Sequence, residues 1–189
     1  MMELLGVLSA FGLSASAGLN AYIPLLVVAL LGKFTNLITL SKPWDALTSW
    51  WTIGVLVALS LVEFFADKIP AVNHVNDIIQ SFIRPTAGAV AFAAAAHVIT
   101  DVHPVLSICL GLLVAGGVHA IKSAAVRPAV TAATGGVGNV PVSMLEDFIS
   151  TLLSILSVVV PVVIACILIL LTSWIIWRWW RKANQHANA

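Results

Sequence analysis

The residues of this chain with the clearest chemical potential are the few charged ones in its apolar middle. Between Trp50 and Val140 there are four acids and four bases, and their formal charges cancel. A charge at the centre of a bilayer costs about 2.5–3.5 kcal/mol, so such residues pair, face a cavity or extend to the interface. Because these charges cancel, the sequence does not determine the sign of the charge of any bound solute. The eight residues are Glu63, Asp67, Lys68, Asp77, Arg84, Asp101, Lys122 and Arg127.

Both interior arginines precede a proline, in Ile83-Arg84-Pro85 and in Val126-Arg127-Pro128. Proline disfavours helical backbone at the residue before it and suits the first position of a new helix. The pattern therefore predicts that Arg84 and Arg127 each lie at a helix break in the interior of the protein. We expect Asp77 to orient Arg84, because the two residues share one helical face.

Two interruptions divide the apolar segments near the two ends of the chain. The first is Ser14–Asn20 followed by Pro24, and the second is Thr134–Asn139 followed by Pro141. Hydrocarbon offers no water to backbone groups, so irregular backbone survives there only inside protein or beside a cavity. Interrupted hydrophobic segments in corresponding positions of two halves indicate a transporter-type binding site. Together with the repeated Arg-Pro pairs, they predict two related halves, with an inverted relation as one alternative.

The segment from Thr131 to Asp147 leaves three interpretations open. Backbone N–H groups at a glycine-rich turn and a helix N-terminus could bind an anion together with Arg127. Backbone carbonyl groups, the threonines and Asn139 could instead coordinate a cation. In the third interpretation the glycines serve close packing, and Glu146 with its acidic neighbour neutralises the helix start.

Signs of enzyme chemistry are few, and we do not favour an enzyme. The chain has neither a Gly-x-Ser-x-Gly turn nor a His-Glu-x-x-His pair. His97 and Asp101 have helical spacing but lack a nearby third ligand, so we expect no metal and no cofactor. One alternative to transport is lipid handling or enzyme chemistry near the lipid headgroups, which would use Glu63, Asp67 and Asp77. The other is a structural or assembly role in which the charges form internal ion pairs.

Composition places all of these residues in a membrane setting. Of the 189 residues, 60% are hydrophobic and 9% are charged, whereas a soluble domain carries about 25% charged residues. A formal charge of +1 without a basic patch argues against nucleic acid as a partner. The two cysteines lie in apolar runs, so no disulfide framework is expected.

Five apolar segments are predicted to span the membrane within a single domain of residues 1–189. An amphipathic helix near 69–84 is predicted as a separate element, which lies at the interface or lines a polar vestibule. The last span ends in tryptophans and cations, which predicts a cytoplasmic C-terminus. The predicted spans are the interrupted Leu4–Leu31, then Trp50–Ala66, Pro85–Thr100, Pro104–Ile121 and Thr151–Trp177.

A set of motifs spread along the chain becomes specific when its members occur together. They are Gly18–Pro24, Glu63–Pro70, Asp77 with Ile83–Pro85, Arg127-Pro128 and Thr134–Asn139. In these motifs the chain resembles a bacterial integral-membrane family known as domain of unknown function 4126. The resemblance covers most of the chain and implies a bacterial inner-membrane protein, without a known activity. Asn73 differs from the family pattern, in which an acidic residue before the histidine is more usual.

The sequence therefore predicts an all-α, polytopic transmembrane bundle with broken or re-entrant helices. Its predicted function is a channel or transporter for a small polar or charged solute, bound where the two interrupted segments meet. Membrane lipids and the solute are the expected partners, homo-oligomer formation stays open, and the predicted location is the bacterial inner membrane. The predicted pathway residues are Asn20, Asp67, Lys68, Asp77, Arg84, Arg127, Thr134, Gly136, Gly138 and Asn139.

Overall fold

The computed structural model describes residues 2–35, 38–68, 70–97, 103–160, 167, 170–178 and 180–181. This part of the chain is helical and contains no strand, which confirms the all-α prediction. A 3-10 turn (Trp44–Thr48) precedes α3, and a π turn (Lys122–Val126) joins α5 to α6. The helices are α1 (Met2–Leu19), α2 (Tyr22–Phe34), α3 (Trp50–Ala66), α4 (Pro70–His97), α5 (Pro104–Ile121), α6 (Arg127–Thr134) and α7 (Asn139–Val159).

Three helical stretches are long and apolar enough to cross a membrane, namely Val75–Ala96, Pro104–Thr134 and Asn139–Val159. The helices α1, α2 and α3 contribute apolar stretches that are shorter. Large hydrophobic side chains such as Trp51 and Phe82 point outward from the bundle. An extensive apolar exterior of this kind suits lipid rather than water. These features indicate a membrane protein.

Helix α1 lies at the centre of the bundle and packs against α4, α5 and α7. The packing is close because the contact positions are small. A Cβ atom added to Gly88 of α4 would lie 2.2 Å from the Cβ atom of Ala115, and one added to Gly111 of α5 would lie 2.6 Å from the Gly88 carbonyl oxygen. Small residues let membrane helices approach each other at backbone level.

Serine hydroxyl groups connect α1 to its neighbours. The Oγ atom of Ser16 lies 2.8 Å from Ser150 Oγ and 2.6 Å from Ser154 Oγ, both on α7. On α5, the Gly111 carbonyl oxygen accepts a hydrogen bond of 2.9 Å from Ser14 Oγ. Such bonds between membrane helices contribute roughly 0.6 kcal/mol each on average. They therefore fix the register of α1 more than they add to its stability.

Helix α4 is continuous where two separate elements were predicted. The amphipathic helix near 69–84 and the span Pro85–Thr100 belong to one helix, Pro70–His97, and residues 98–100 lie outside the described part. The prediction of a helix break at Arg84 is therefore wrong, because a membrane bundle can satisfy the backbone group that Pro85 leaves without a partner. The polar side chains Gln80 and Arg84 are buried and Ile79 is exposed, as expected for a helix that lines a polar interior.

The other predicted spans agree with the observed helices to different extents. The segments Trp50–Ala66 and Pro104–Ile121 coincide with α3 and α5. The first apolar segment is interrupted at Asn20 and Ala21, whereas Ser14–Leu19, also predicted as part of the interruption, belong to α1. The span predicted over Thr151–Trp177 is wrong as one helix, because α7 begins at Asn139 and ends at Val159. The chain has a proline at position 161, which disfavours helical backbone just before it. Residues 161–166 lie outside the described part, and residues 170–178 are helical.

Candidate functional site

Six buried charged side chains form one ion-pair network, which we term the charge cluster. Three are acids and three are bases, so their formal charges sum to zero. Neutrality is expected in a membrane protein, because an uncompensated buried charge is strongly unfavourable. The members are Glu63 of α3, Asp67 just after α3, Arg84 of α4, Lys122 of the π turn, Arg127 of α6 and Glu146 of α7.

Arg84 is the most enclosed member of the charge cluster, with 0% of its surface exposed. Its Nη2 and Nε atoms both donate to Glu63 Oε1, at 2.8 and 3.2 Å. Its Nη1 atom lies 3.2 Å from His119 Nδ1, and its Nη2 atom lies 3.6 Å from Asp67 Oδ2. The carboxylate that orients Arg84 is therefore that of Glu63, and the prediction that Asp77 does so is wrong.

The first chain interruption is tied to the charge cluster through Leu19 and Ala21. The backbone N–H of Ala21 donates to Glu63 Oε2 at 3.2 Å, and Lys122 Nζ donates to the last carbonyl group of α1 at 3.0 Å. Asn20 Oδ1 accepts hydrogen bonds of 3.1 Å from the first two N–H groups of α2, and its Nδ2 donates to Asp147 at 3.0 Å. Polar side chains thus satisfy backbone groups that the interruption releases.

The π turn brings both Lys122 and Arg127 into the charge cluster. The Arg127 N–H donates to the Lys122 carbonyl oxygen, a hydrogen bond that spans five residues. Residues five apart in an α-helix point about 140° away from each other, whereas the wider π turn aligns them more closely. Pro128 accounts for the wide turn, because it has no N–H and its ring clashes with the carbonyl group four residues earlier. The α-helical pattern is therefore interrupted just before Arg127, but the helical stretch Pro104–Thr134 continues through it, so the predicted break is only a local widening of the helix.

Arg127 is 5% exposed and uses only one of its three side-chain nitrogens. Its Nη2 donates to Asp67 Oδ2 at 3.3 Å and to Glu146 Oε2 at 3.1 Å. Its Nε and Nη1 atoms are buried and have no hydrogen-bond partner among the described residues. Asp77 is near enough to act electrostatically on Arg127, and its Oδ1 atom is also buried without a partner there. Two donor atoms of Arg127 and one acceptor atom of Asp77 are therefore unused within the described part of the chain.

The second chain interruption forms one wall of a cleft of about 510 Å³, which we term the glycine cleft. Gly135 and Gly136 have φ angles of 63° and 92°, a backbone region that favours glycine. Thr134 Oγ1 accepts a hydrogen bond of 2.9 Å from the Gly138 N–H and closes the turn. The lining residues are Asp67, Lys68, Thr131, Gly135, Gly136, Val137, Asn139 and Val140.

Asp67 and Lys68 bring opposite charges to the wall of the glycine cleft. The Asp67 carboxylate accepts from Asn76 Nδ2 at 2.6 Å and from Ser143 Oγ at 3.3 Å, in addition to its ion pairs in the charge cluster. The Lys68 ammonium lies over the Phe64 ring and pairs with the Asp147 carboxylate at 3.4 Å. The Lys68 side chain is 15% exposed. Two residues of opposite formal charge therefore line this cleft.

A comparison with protein-family models matches residues 7–182, which is most of the chain. The chain belongs to the family described as domain of unknown function (DUF4126). This confirms the family resemblance seen in the sequence motifs. Comparisons of this DUF4126 chain with curated proteins and with solved structures give no match. The site residues must therefore be interpreted from their own geometry.

The structure of this DUF4126 chain brings most of the predicted pathway residues to one region. Asp67, Lys68, Gly136 and Asn139 line the glycine cleft. Their role in a pathway stays a prediction. The others lie behind or beside the cleft, with Arg84 and Arg127 in the charge cluster, Asn20 and Asp77 next to it, and Thr134 and Gly138 in the closing turn.

Three residues of the site were not assigned to it from the sequence. Lys122 lies five residues before Arg127, a spacing that separates two side chains on an ordinary α-helix. His119 contacts Arg84, although its position in an apolar segment gives no sign of that contact in the sequence. Glu146 offered a usable signal, because it continues the buried polar face that Ser143 and Ser150 define on α7.

Proposed function

We propose that this membrane protein is a channel or transporter for a small polar or charged solute, which binds in the glycine cleft. The supporting observation is that an interrupted helix lines a cleft that also contains Asp67 and Lys68, directly against a buried, neutral charge cluster. Irregular backbone at membrane depth is tolerated where it is enclosed by protein or lines an aqueous cavity. Discontinuous helices form the solute sites of many transporter folds.

The number of buried charges also favours a functional role over a purely structural one. Replacing a buried ion pair by apolar residues of similar volume is often neutral or stabilising. A bundle that needed only to pack would therefore gain little from keeping three acids and three bases in contact. In our proposal, Asp67, Lys68 and Asn139 contact the solute, and Arg127 holds the Asp67 carboxylate in place through the 3.3 Å hydrogen bond.

Flux through liposomes that contain the purified protein tests this proposal. Salts that vary the anion and the cation separately, and small neutral solutes, would supply the gradients. We expect Lys68→Gln and Asn139→Ala to reduce the flux at least tenfold, because both residues line the cleft.

Lys33→Gln is the matched control for Lys68→Gln. Both lysines lie over an aromatic ring and donate to a backbone carbonyl group, but Lys33 does so near Trp50, at the other end of α2 and α3. Flux should therefore persist in Lys33→Gln. Equal flux in all monodisperse variants, or no flux under any gradient, would contradict the transport proposal.

A second candidate function is lipid handling or enzyme chemistry at headgroup level. Helix α3 has 17 residues and is about 25 Å long, so if it spans the bilayer, Trp50 and Asp67 lie near opposite boundaries of a core about 30 Å thick. The Asp67 and Asp77 carboxylates would then be within reach of a lipid headgroup. Lipid that is retained during purification and lost in Asp77→Asn would favour this candidate over transport.

A further inference from the structure

We propose that the ligand of the glycine cleft is a small zwitterion, which carries a protonated amine and an anionic group a few bonds apart. The inference rests on the proposed role of the cleft as a solute site and specifies the chemistry of that solute. It covers two sources with the same chemistry, a free amino-acid-like solute and the phosphoethanolamine headgroup of a lipid.

The charged wall of the cleft carries the first part of the inference. Asp67 and Lys68 are consecutive residues, and both line the cavity. A simple anion in the cleft would meet the Asp67 carboxylate, and a simple cation would meet the Lys68 ammonium. A ligand with one group of each sign finds an opposite charge for both of its ends.

Unused hydrogen-bonding atoms near the wall carry the second part. The Nε and Nη1 atoms of Arg127 are buried donors without a partner in the described part of the chain, and Arg127 contacts the lining residue Asp67 directly. Asp77 Oδ1 and Asn139 Oδ1 are buried acceptors that also have no hydrogen-bond partner in the described part of the chain. Asn139 itself lines the cavity. An unsatisfied buried polar group is unfavourable by about 1–3 kcal/mol. A ligand that both donates and accepts hydrogen bonds would provide partners for the unused donors and for the unused acceptors.

Charge balance and size agree with this assignment. The charge cluster sums to zero, and the Lys68–Asp147 pair beside it is also neutral. A ligand without net charge preserves this balance, whereas a single ion would add an uncompensated charge beside the buried charge cluster. The cavity of about 510 Å³ is within the range of roughly 300–1,000 Å³ that small-molecule sites occupy.

The melting temperature of the detergent-purified protein tests the inference with defined probes. The probes are glycine and phosphoethanolamine esterified to glycerol, which carry one group of each sign and no net charge, against acetate and methylammonium, which carry one charged group each. We expect a saturable rise in melting temperature with at least one of the zwitterions and none with acetate or methylammonium at the same ionic strength. A rise with acetate alone or with methylammonium alone would overturn the inference.

A second set of measurements separates the two sources. The protein would be reconstituted in nanodiscs of phosphatidylcholine, whose quaternary amine has no N–H donor, with or without phosphatidylethanolamine. Stabilisation by phosphatidylethanolamine without an effect of glycine identifies the lipid headgroup, and stabilisation by glycine in phosphatidylcholine identifies a free solute. No effect of any zwitterion in either medium would overturn the inference.

Variants of Lys68 distinguish binding in the cleft from binding elsewhere. We expect Lys68→Gln to weaken the zwitterion at least tenfold, Lys68→Arg to restore most of the affinity, and Lys33→Gln to leave it unchanged. Equal affinity in all three would show that the ligand binds outside the cleft. Zwitterion binding without flux would refute transport alone, whereas flux of a simple ion without zwitterion binding would refute this inference alone.

Discussion

At the scale of single residues, Glu63 and Arg84 show how strongly the charge cluster depends on pairing. Glu63 accepts two hydrogen bonds from Arg84 and one bifurcated hydrogen bond from the backbone N–H of Ala21, so one carboxylate holds α4 to the start of α2. Neither side chain is accessible to solvent beyond 1%. Removing one partner therefore leaves the other as an uncompensated charge, with no water to replace it.

We expect Glu63→Gln to lower the free energy of unfolding by about 3–5 kcal/mol, the usual consequence of breaking a buried pair. Denaturant unfolding of the detergent-purified protein measures this change. Asp45→Asn, which alters an exposed acid in the 3-10 turn, is the control and should have little effect. A loss below about 1 kcal/mol in Glu63→Gln, as for a surface pair, would show that water reaches the cluster.

Asp77 presents a different residue-scale case, because its Oδ1 atom is buried without a partner among the described residues. Removing its charge leaves fewer unsatisfied groups than removing that of Glu63. We expect Asp77→Asn to preserve folding, with a change below about 1 kcal/mol, and to weaken binding of the phosphoethanolamine or glycine probe. A destabilisation as large as that of Glu63→Gln would show that Asp77 is an essential part of the charge cluster.

At the scale of secondary structure, the π turn after α5 determines which side chains reach the site. It places Lys122 and Arg127 on the same side of the chain, where both contact Glu146 at 2.8 and 3.1 Å. The contact depends on the hydrogen bond from the Arg127 N–H to the Lys122 carbonyl oxygen. The proline that follows Arg127 therefore acts as a positioning residue.

We expect Pro128→Ala to let the turn close to α-helical geometry and to rotate Arg127 away from Glu146. A double-mutant cycle between Arg127 and Glu146 measures this, and its coupling energy should fall from more than about 1 kcal/mol to near zero. Pro85→Ala is the matched control, since Pro85 also follows an arginine but lies inside the continuous helix α4. An unchanged coupling energy in Pro128→Ala would show that another element positions Arg127.

Close helix packing gives a second prediction at this scale. A Cβ atom on Gly111 would lie 2.6 Å from two backbone atoms of α4, which have little room to move. We expect Gly111→Ala to destabilise the protein by about 1–3 kcal/mol, as overpacking does. Gly54→Ala adds its methyl group to open space on α3 and should be neutral or slightly stabilising. Similar unfolding midpoints for both variants would contradict the close contact between α4 and α5.

The agreement between sequence and structure also differs by element. The bounds of α3 and α5 followed from hydropathy, because each apolar run ends at charged or polar residues. The two Arg-Pro pairs look alike in sequence, yet Pro85 continues a helix and Pro128 accompanies a π turn. Whether a proline ends a helix depends on which neighbours satisfy the released carbonyl group, and that is a property of tertiary packing. The region of the site was therefore predictable from the sequence, but its full set of ion pairs was not.

At the scale of the whole molecule, the tryptophans and the glycine cleft lie at opposite ends of α3. Ser49 caps the start of α3 beside Trp50, and Asp67 follows its end and lines the cleft. If α3 crosses the bilayer, the two ends are on different sides. The 17 residues of α3 are at the lower limit of the length that a span requires.

We expect Val137→Cys and Ser49→Cys, made in a chain whose two native cysteines are replaced by serine, to react from opposite sides of the membrane. Labelling of intact and opened vesicles with a membrane-impermeant thiol reagent measures the accessible side. Leu13→Cys, in the buried centre of α1, is the unreactive control. Reaction of both positions from the same side would show that α3 does not cross the bilayer.

The central position of α1 has a consequence for the synthesis of the protein. Ser16 finds its hydroxyl partners Ser150 and Ser154 only after at least 134 further residues have been added. At about 5–20 residues per second, the ribosome needs roughly 7–27 s to add them. During that interval the first helix must wait in the membrane, or beside it, while Ser16 and the following Asn20 lack their partners on α7. The last long helix to emerge thus completes the surroundings of the first.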